Sequence, residues 1–153
     1  MMRLTGAYEH TLDAKGRLVV PAALRAPLLE SGGYLTKELD GCLGLLPPAV
    51  FDAISEKWAA GAADGRRRDR DAQRSFMAGA APVELDRHGR IAIPRNLREF
   101  ARLASDCVVV GLGNRIEIWW ANGFADVEAA GDEHLSNPDE EPEEDGDEPG
   151  GAP

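Results

Sequence analysis

Two copies of one segment, 73 residues apart, constrain the fold of this chain more than any other feature. Residues 12–25 read LDAKGRLVVPAALR and residues 85–98 read LDRHGRIAIPRNLR, and seven of the fourteen positions are identical without a gap. Only about one identity would be expected by chance from ordinary residue frequencies. The same spacing continues as far as Phe51 and Phe124. A repeat of roughly forty residues is long enough to be a supersecondary unit, so the sequence predicts two related modules.

Each copy predicts the same local structure. A short alternating run leads into Asp-x-x-Gly-Arg, and a second short apolar run follows, which is typical of two strands joined by a tight turn. Gly16 and Gly89 stand where such a turn, with a bulge, requires a positive φ. Pro21 and Pro94 stand where a short helix would begin. The sequence also predicts a second strand pair in each copy: YLTKEL with CLGLLP, and CVVVGL with RIEIWW.

Two further helices are expected, one at the end of the first copy and one between the copies. The first covers residues 48–60 and carries an apolar stripe typical of a helix that faces a core. The second opens at Asp64 and closes at Gly79. This second helix is rich in arginine: Arg66, Arg67, Arg68, Arg70 and Arg74. The pattern fits either a solvated face paired with Asp69 and Asp71 or a basic surface near DNA phosphates.

Acidic residues are concentrated at the end of the chain. The whole chain has 17 Lys and Arg against 27 Asp and Glu, a formal net charge of −10. Residues 132–153 hold ten of these acids and no Lys or Arg, which leaves residues 1–131 balanced at 17 against 17. This composition predicts a disordered segment over 132–153. The tail could compete with DNA for a basic surface, or it could be an inert solubilising extension.

Several classes of protein find no support in the sequence. No stretch approaches the roughly 20 apolar residues of a membrane span, and the N-terminus lacks the layout of a signal peptide, so a cytoplasmic location is expected. Cys42 and Cys107 are far apart, which favours buried, reduced thiols over a disulfide or a zinc site. The histidines have no Ser or Cys partner at motif spacing. We therefore expect no enzyme, catalytic residue, metal or cofactor.

A carboxylate and a guanidinium bracket each predicted turn. Asp13 precedes Arg17 by four positions, and Asp86 precedes Arg90 by the same spacing. A guanidinium has a planar fork of donors that matches a carboxylate, or the O6 and N7 edge of guanine in the major groove. Each Asp–Arg pair could therefore simply fasten its turn, or the aspartate could orient an arginine that faces outward and binds DNA.

Five stretches of the chain together resemble one protein family. They are GAYEHTLDAKGRLVVPAALR, LDGCLGLLPPAVFDAI, QRSFMAGA, LDRHGRIAIPRNLREFARL and VVVGLGNRIEIWW. The set is similar to the MraZ family, bacterial transcriptional regulators linked to the division and cell-wall gene cluster. The resemblance covers residues 5 to about 125 and includes both Asp-x-x-x-Arg signatures.

The resemblance implies an α+β fold with a β-barrel core and short helices. Two swapped-hairpin modules of the AbrB and SpoVT type would form one pseudo-two-fold protomer. The implied organisation is a first module with its following helix at 1–60, the central arginine-rich helix at 61–80, a second module at 81–131 and the disordered acidic tail at 132–153.

The resemblance also implies a function and a set of contact residues. Members bind repeated sites upstream of their own operon as ring-shaped oligomers, an octamer or a similar ring, at the nucleoid. The partners would be double-stranded DNA and further copies of the chain, with no membrane and no small-molecule substrate. The implied DNA-contacting residues are Lys15, Arg17, Arg87, His88 and Arg90, with Asp13 and Asp86 as orienters and Gly16 and Gly89 as turn glycines.

Two points stay open at this stage. His88 stands where the first copy has Lys15, and a neutral imidazole would attract phosphate less strongly, although Arg87 partly compensates. The alternative function is an AbrB-fold antitoxin, because single modules of this type carry disordered tails that wrap toxins. Two modules in one chain argue against it, and the tail offers Leu135 alone as an apolar anchor.

Overall fold

The chain folds into a mixed α+β structure, which a computed structural model describes for residues 3–139. The described residues contain eight strands in two antiparallel sheets and four α-helices, as the α+β prediction requires. The strands are β1 (Ala7–Thr11), β2 (Arg17–Val19), β3 (Gly33–Lys37), β4 (Leu43–Leu46), β5 (Ala81–Val83), β6 (Arg90–Ala92), β7 (Asp106–Gly111) and β8 (Ile116–Trp120). The helices are α1 (Pro48–Ala63), α2 (Arg67–Gly79), α3 (Arg95–Phe100) and α4 (Ala121–Ser136).

The described part of the chain divides into two compact units, residues 3–121 and residues 122–139. The first unit holds both sheets and the helices α1, α2 and α3. The second unit holds nearly all of α4. None of the helices in the described part of the chain is long and apolar enough to cross a membrane.

Strands of one copy pair with strands of the other. β2 and β6 form a two-stranded ribbon, and the six-stranded sheet has the order β1-β7-β8-β4-β3-β5. In that sheet β1 pairs with β7, β5 with β3, and β4 with β8, and all three pairings join the first copy to the second. The order is unchanged when the copies are exchanged, since β1 to β4 correspond to β5 to β8. The first unit is therefore pseudo-two-fold symmetric.

The two strands beside each Asp-x-x-Gly-Arg turn do not pair with each other. β1 and β2 flank the first turn, but they bond to β7 and β6 instead of to each other. The turns themselves form as predicted. Gly16 N–H donates to the Asp13 carbonyl and Gly89 N–H to the Asp86 carbonyl, both at 3.0 Å, and the glycines have φ values of 76° and 74°.

The repeat spacing shifts by one residue in β3. Leu35 pairs with Leu45, and the equivalent pair in the second copy is Val109 with Ile118. Leu45 and Ile118 are 73 positions apart, whereas Leu35 and Val109 are 74 apart. The loop from β3 to β4 is consequently one residue longer than the loop from β7 to β8. The gapless match predicted over the longer repeat therefore holds on either side of β3 but not through it.

The central helix begins later than predicted. Asp64 closes α1, whose last residue is Ala63, and it does not open α2. α2 begins at Arg67, where the Asp69 carboxylate accepts the N–H of Arg66 at 2.8 Å. An acceptor in the first turn satisfies a backbone donor that has no partner inside the helix. Asp64 and Asp69 are both residues that can cap the start of a helix. The structure uses Asp69, which lies inside the first turn of α2.

The acidic segment begins with a helix. Residues 132–136 form the last part of α4, so the prediction of disorder from residue 132 is wrong for them. The backbone N–H of Asn137 donates to the Glu133 carbonyl at 3.0 Å and extends this helical bonding by one residue. The predicted disorder of residues 140–153 lies outside the described residues.

The main core of the first unit joins both copies. Its fully buried side chains include Leu18 and Ile91 from the β2–β6 ribbon and Leu43 and Ile118 from the larger sheet. A second cluster lies under α1 and α2, where the rings of Phe51 and Phe76 stack with centroids 6.1 Å apart. Both cysteines are buried and free, as the sequence predicts. Burial raises their thiol pKa values, which keeps them protonated and inert.

Candidate nucleic-acid interface

Each Asp-x-x-x-Arg segment folds into a tight loop, here termed loop 1 (residues 13–17) and loop 2 (residues 86–90). In loop 1 the Asp13 carboxylate accepts hydrogen bonds from the backbone N–H groups of Lys15 and Arg17 at 2.9 and 2.8 Å. The same carboxylate accepts Arg17 Nε at 2.8 Å. One aspartate therefore fixes both the backbone of the loop and the direction in which the arginine side chain leaves it.

Loop 2 repeats this arrangement. The Asp86 carboxylate accepts the backbone N–H groups of His88 and Arg90 at 2.8 and 2.9 Å and Arg90 Nε at 2.9 Å. Corresponding distances in the two loops differ by 0.1 Å. In both loops the aspartate binds the arginine through Nε, so the two terminal nitrogens of each guanidinium remain as donors for a second acceptor.

The β2–β6 ribbon places the two loop arginines on one face. Arg17 lies opposite Ala92, which is two positions along β6 from Arg90. Between them, the paired residues Leu18 and Ile91 are buried. Since successive side chains of a strand point to opposite faces, both arginines belong to the outer face of the ribbon. Diagonal positions of this kind have side chains about 7–8 Å apart, close enough to act on one ligand surface.

Each loop is also bonded to the strand of the other copy. The carbonyl of Gly16 in loop 1 accepts the N–H of Ile93, just beyond β6, at 2.9 Å. The carbonyl of Gly89 in loop 2 accepts the N–H of Val20, just beyond β2, at 2.8 Å. These bonds connect each loop to the ribbon on the opposite side. The two loops are therefore fixed relative to each other.

The arginines do not form the tips of the loops. Arg17 and Arg90 are the first residues of β2 and β6, and their side chains are 32% and 26% exposed. The tips are formed by exposed residues: Ala14 and Lys15 in loop 1, and Arg87 and His88 in loop 2. A surface that approaches the ribbon from outside would meet the tips and both guanidinium groups.

Hydrogen bonding keeps both loop carboxylates ionised. The backbone N–H of Arg90, with the Arg90 side chain and the N–H of His88, lowers the pKa of Asp86 from 3.8 to about 2. The backbone N–H of Arg17 makes the largest contribution that lowers the pKa of Asp13. A carboxylate that accepts several N–H donors is stabilised in its charged form. The Asp–Arg contacts are therefore intact at neutral pH.

This shift predicts an acid dependence of stability. The stabilising contribution of Asp86 is complete above its unfolded-state pKa of 3.8 and is lost as the pH falls through the folded-state pKa of about 2. We expect Asp86→Asn to make the decline in the free energy of unfolding between pH 4 and pH 2 shallower. Urea unfolding at stepped pH measures this slope. The control is Asp52→Asn, an exposed acid of α1, and equal slopes in D86N and wild type would contradict the prediction.

Sequence reasoning gave no role to two arginines that contact these loops. The guanidinium of Arg98 lies over Gly16, where a Cβ would be 2.9 Å from its Cζ. The guanidinium of Arg25 lies over Gly89 so closely that a Cβ there would collide with it. Arg25 and Arg98 form the last identical pair of the repeated segment, 73 positions apart. That identity is the signal that could have singled them out.

The arginines of the central helix are exposed and largely paired within that helix. Asp71 lies 2.9 Å from Arg74 and 3.7 Å from Arg67. Asp69 lies 3.8 Å from Arg68, and Arg70 donates to the carbonyl of Gly65 at 3.2 Å. The contacts expected of a solvated, charge-paired face are thus present. Such exposed pairs are weak, so they can be exchanged for other anions at little cost.

A family model matches the chain twice. The family is described as "MraZ protein, putative antitoxin-like", and its model matches residues 3–72 and again residues 76–144. The second match begins 73 residues after the first, which is the spacing of the internal repeat. The family model therefore describes one copy of the repeat, and both copies satisfy it.

Several curated relatives of the chain carry the name "Transcriptional regulator MraZ". The relative from Symbiobacterium thermophilum is 46% identical over 128 residues, which is 83% of this chain and 91% of that protein. The relative from Roseiflexus castenholzii is 41% identical over 131 residues, which is 86% of this chain and 90% of that protein. The relative from Lactiplantibacillus plantarum is 40% identical over 129 residues, which is 80% of this chain and 86% of that protein. These names describe regulators and no class of enzyme.

Proposed function

The chain belongs to the MraZ family, and from this premise we propose that it is a transcriptional regulator that binds duplex DNA through loops 1 and 2. The observation that carries the proposal is the pair of aspartate-anchored arginines on the outer face of the β2–β6 ribbon. The major groove of B-DNA admits a two-stranded ribbon and presents acceptors on its base edges. A ribbon with two guanidinium groups on its free face fits that environment.

Arg17 and Arg90 are the base-reading residues in this proposal. An arginine reads guanine through two donors aimed at O6 and N7, and a good contact contributes about 1–3 kcal/mol of discrimination. The aspartates hold each side chain by Nε before DNA arrives. Because the side chain is already ordered, binding loses less conformational entropy. Asp13 and Asp86 are thus orienters rather than DNA contacts.

The exposed loop tips supply backbone contacts. Lys15 in loop 1 and Arg87 in loop 2 are positive and solvent-exposed, and His88 lies beside Arg87. Contacts to phosphate set the position of a protein on the duplex without reading sequence. The two tips differ in composition, but each offers one permanent cation for this purpose.

Two base-reading arginines per chain discriminate only modestly between DNA sequences. The proposal therefore includes self-association, which increases the number of such contacts. In a ring of protomers, neighbouring sites on repeated DNA bind at high effective concentration, and weak contacts add up to firm binding. The sites would lie upstream of the chain's own operon, and the protein would act at the nucleoid. The exchange of strands between the copies supports the swapped-hairpin architecture of the AbrB and SpoVT type that this model of binding assumes.

The central-helix arginines are secondary phosphate contacts in the proposal. We expect the triple variant Arg67→Ala, Arg68→Ala, Arg74→Ala to weaken binding equally for operator and unrelated DNA. Each lost phosphate contact should reduce the steepness of the fall in log affinity with log salt by about 0.9. Stability should change little, because the three ion pairs are exposed. Titrations at several salt concentrations measure the slope, and an unchanged slope would make α2 a solvated face only.

The proposal is tested with the duplex upstream of the chain's own gene and a shuffled duplex of the same composition. We expect a mobility shift on the upstream duplex at a concentration at least about a thousandfold lower than on the shuffled one. Light scattering after size exclusion gives the oligomeric state in the same buffer. Equal affinity for both duplexes would contradict sequence-specific binding, and a monomer would contradict the ring.

The family description favours one alternative, an antitoxin-like protein that binds a toxin. That function predicts a toxin gene beside the gene for this chain and a tight complex between the two products. It also requires apolar anchors. In the second unit, Leu135 and Val127 of α4 have 82% and 45% of their surface exposed. A stable complex with a neighbouring gene product, without DNA discrimination, would favour this alternative.

A further inference from the structure

Arg25 and Arg98 contact the loop of the copy to which they do not belong. Arg98 lies on α3 in the second copy, and a Cβ on Gly16 of loop 1 would be 2.9 Å from its Cζ and 3.1 Å from its Nε. Arg25 lies between the short 3-10 turns of the first copy, and its guanidinium covers Gly89 of loop 2. Both contacts therefore cross from one copy to the other.

The shape of each contact requires glycine on one side and arginine on the other. Gly16 and Gly89 have positive φ, which strains any other residue, and in each case the space where a Cβ would stand is filled by the guanidinium. Guanidinium is planar and weakly hydrated, so it can lie flat against backbone. A lysine ammonium, a compact and strongly hydrated group, cannot make the same contact.

On the side of loop 2, the contact is part of a closed set of bonds. Arg25 Nε donates to the carbonyl of Val20 at 2.6 Å, and the N–H of Val20 donates to the carbonyl of Gly89 at 2.8 Å. The guanidinium of Arg25 then covers Gly89 itself. Loop 2 is thus held by a hydrogen bond from Val20 and by the side chain that is bonded to Val20.

On the side of loop 1, the corresponding set is incomplete. The N–H of Ile93 donates to the carbonyl of Gly16 at 2.9 Å, as the symmetry requires. Arg98 Nε, however, is buried and makes no hydrogen bond within the described part of the chain. A buried donor without a partner costs free energy. Arg98 therefore lacks the backbone hydrogen bond that Arg25 makes through the same nitrogen.

We propose that Arg25 and Arg98 are positioning residues that act across the copies: Arg98 holds loop 1 and Arg25 holds loop 2 in the form that presents their arginines. The consequence for DNA rests on the proposed function, whereas the effect on loop order does not. Each loop then depends on two anchors, an aspartate from its own copy and an arginine from the other. The two copies become a single binding unit, because damage to one copy also loosens the loop of the other.

Hydrogen exchange of the free protein tests the positioning without DNA. We expect Arg98→Ala to speed exchange of the backbone amides in residues 13–17 and to leave residues 86–90 unchanged, and Arg25→Ala to do the reverse. Arg98→Lys should behave like Arg98→Ala. The matched control is Arg95→Ala, which removes an arginine of the same helix that is paired with Glu99 at 3.0 Å in an exposed position. Faster exchange in the loop of the mutated copy, or equally in both loops, would overturn the proposal.

Coupling between substitutions tests the consequence for DNA. In the wild-type background, we expect Arg17→Ala and Arg90→Ala each to weaken binding by about tenfold or more. In the Arg98→Ala background, Arg17→Ala should add less than about threefold, while Arg90→Ala should keep its full effect. Independent, multiplicative effects of all pairs would mean that Arg98 contacts DNA itself, which would overturn the positioning role. If no variant and no wild type binds DNA, the proposed function fails, and hydrogen exchange still decides the inference.

Discussion

The variant Arg17→Ala should lose operator binding at wild-type protein concentrations while its oligomer stays intact. Arg17 supplies the planar fork of loop 1, and Asp13 already fixes that fork by Nε. The loss per site is about 1–3 kcal/mol, and repetition over several protomers multiplies it. Because loop 2 has the same contacts, Arg90→Ala should give a loss of similar size. Mobility shifts measure binding, and light scattering measures the oligomer.

Two controls separate charge from shape in this experiment. Arg17→Lys keeps the charge but not the fork, so it should retain binding to unrelated DNA and lose preference for the operator. Lys57→Ala removes an exposed cation of α1, outside both loops, and should bind like wild type. If Arg17→Ala still shifts the operator at wild-type concentration, Arg17 only fastens its turn.

The second large effect concerns stability. Gly89→Ala should lower the free energy of unfolding by about 2–5 kcal/mol. A left-handed conformation costs an L-residue about 1–2 kcal/mol, and overpacking a filled site costs about 1–3 kcal/mol. Both apply at Gly89, which has a φ of 74° and lies against the guanidinium of Arg25. Chemical unfolding measures the change.

Substitutions at two other glycines separate the cost of backbone strain from the cost of overpacking. Gly41 has a φ of 81° with nothing within 4 Å of a Cβ, so Gly41→Ala should cost the conformational strain alone, about 1–2 kcal/mol. Gly61 lies inside α1 with open space beside it, so Gly61→Ala should stabilise the protein by about 0.5–1 kcal/mol. If Gly89→Ala costs no more than Gly41→Ala, Arg25 moves aside freely and does not clamp loop 2.

Much of the fold could be predicted because each copy carries strong local signals. The two glycines of the turns mark positions that need positive φ, and alternation marks the short strands on either side. The partner of each strand could not be predicted in the same way. Leu18 is buried whether β2 pairs with its own copy or, as it does, with Ile91 of the other. Alternation defines which face of a strand is buried and not which strand lies beside it.

In the candidate site, too, contacts within one copy could be predicted from the sequence, and contacts between the copies could not. The contacts of Asp13 with Arg17 could be predicted, because four positions across a tight turn bring the two side chains together. The contact of Arg98 with Gly16 joins residues that are 82 positions apart in the chain, and it arises only because the copies exchange strands. No local pattern carries that information. The repeat identity marks Arg98 as a residue of interest, but only the fold shows what it touches.

Photo-cross-linking from the loop tips tests whether both loops meet duplex DNA on one face. A photoreactive residue is placed at Lys15, at His88 and, as a control, at Asp52 of α1, all of which are exposed. We expect operator cross-links from both tips at similar yield and none from Asp52. Cross-links from neither tip, or to neighbouring protein chains instead of DNA, would contradict this expectation.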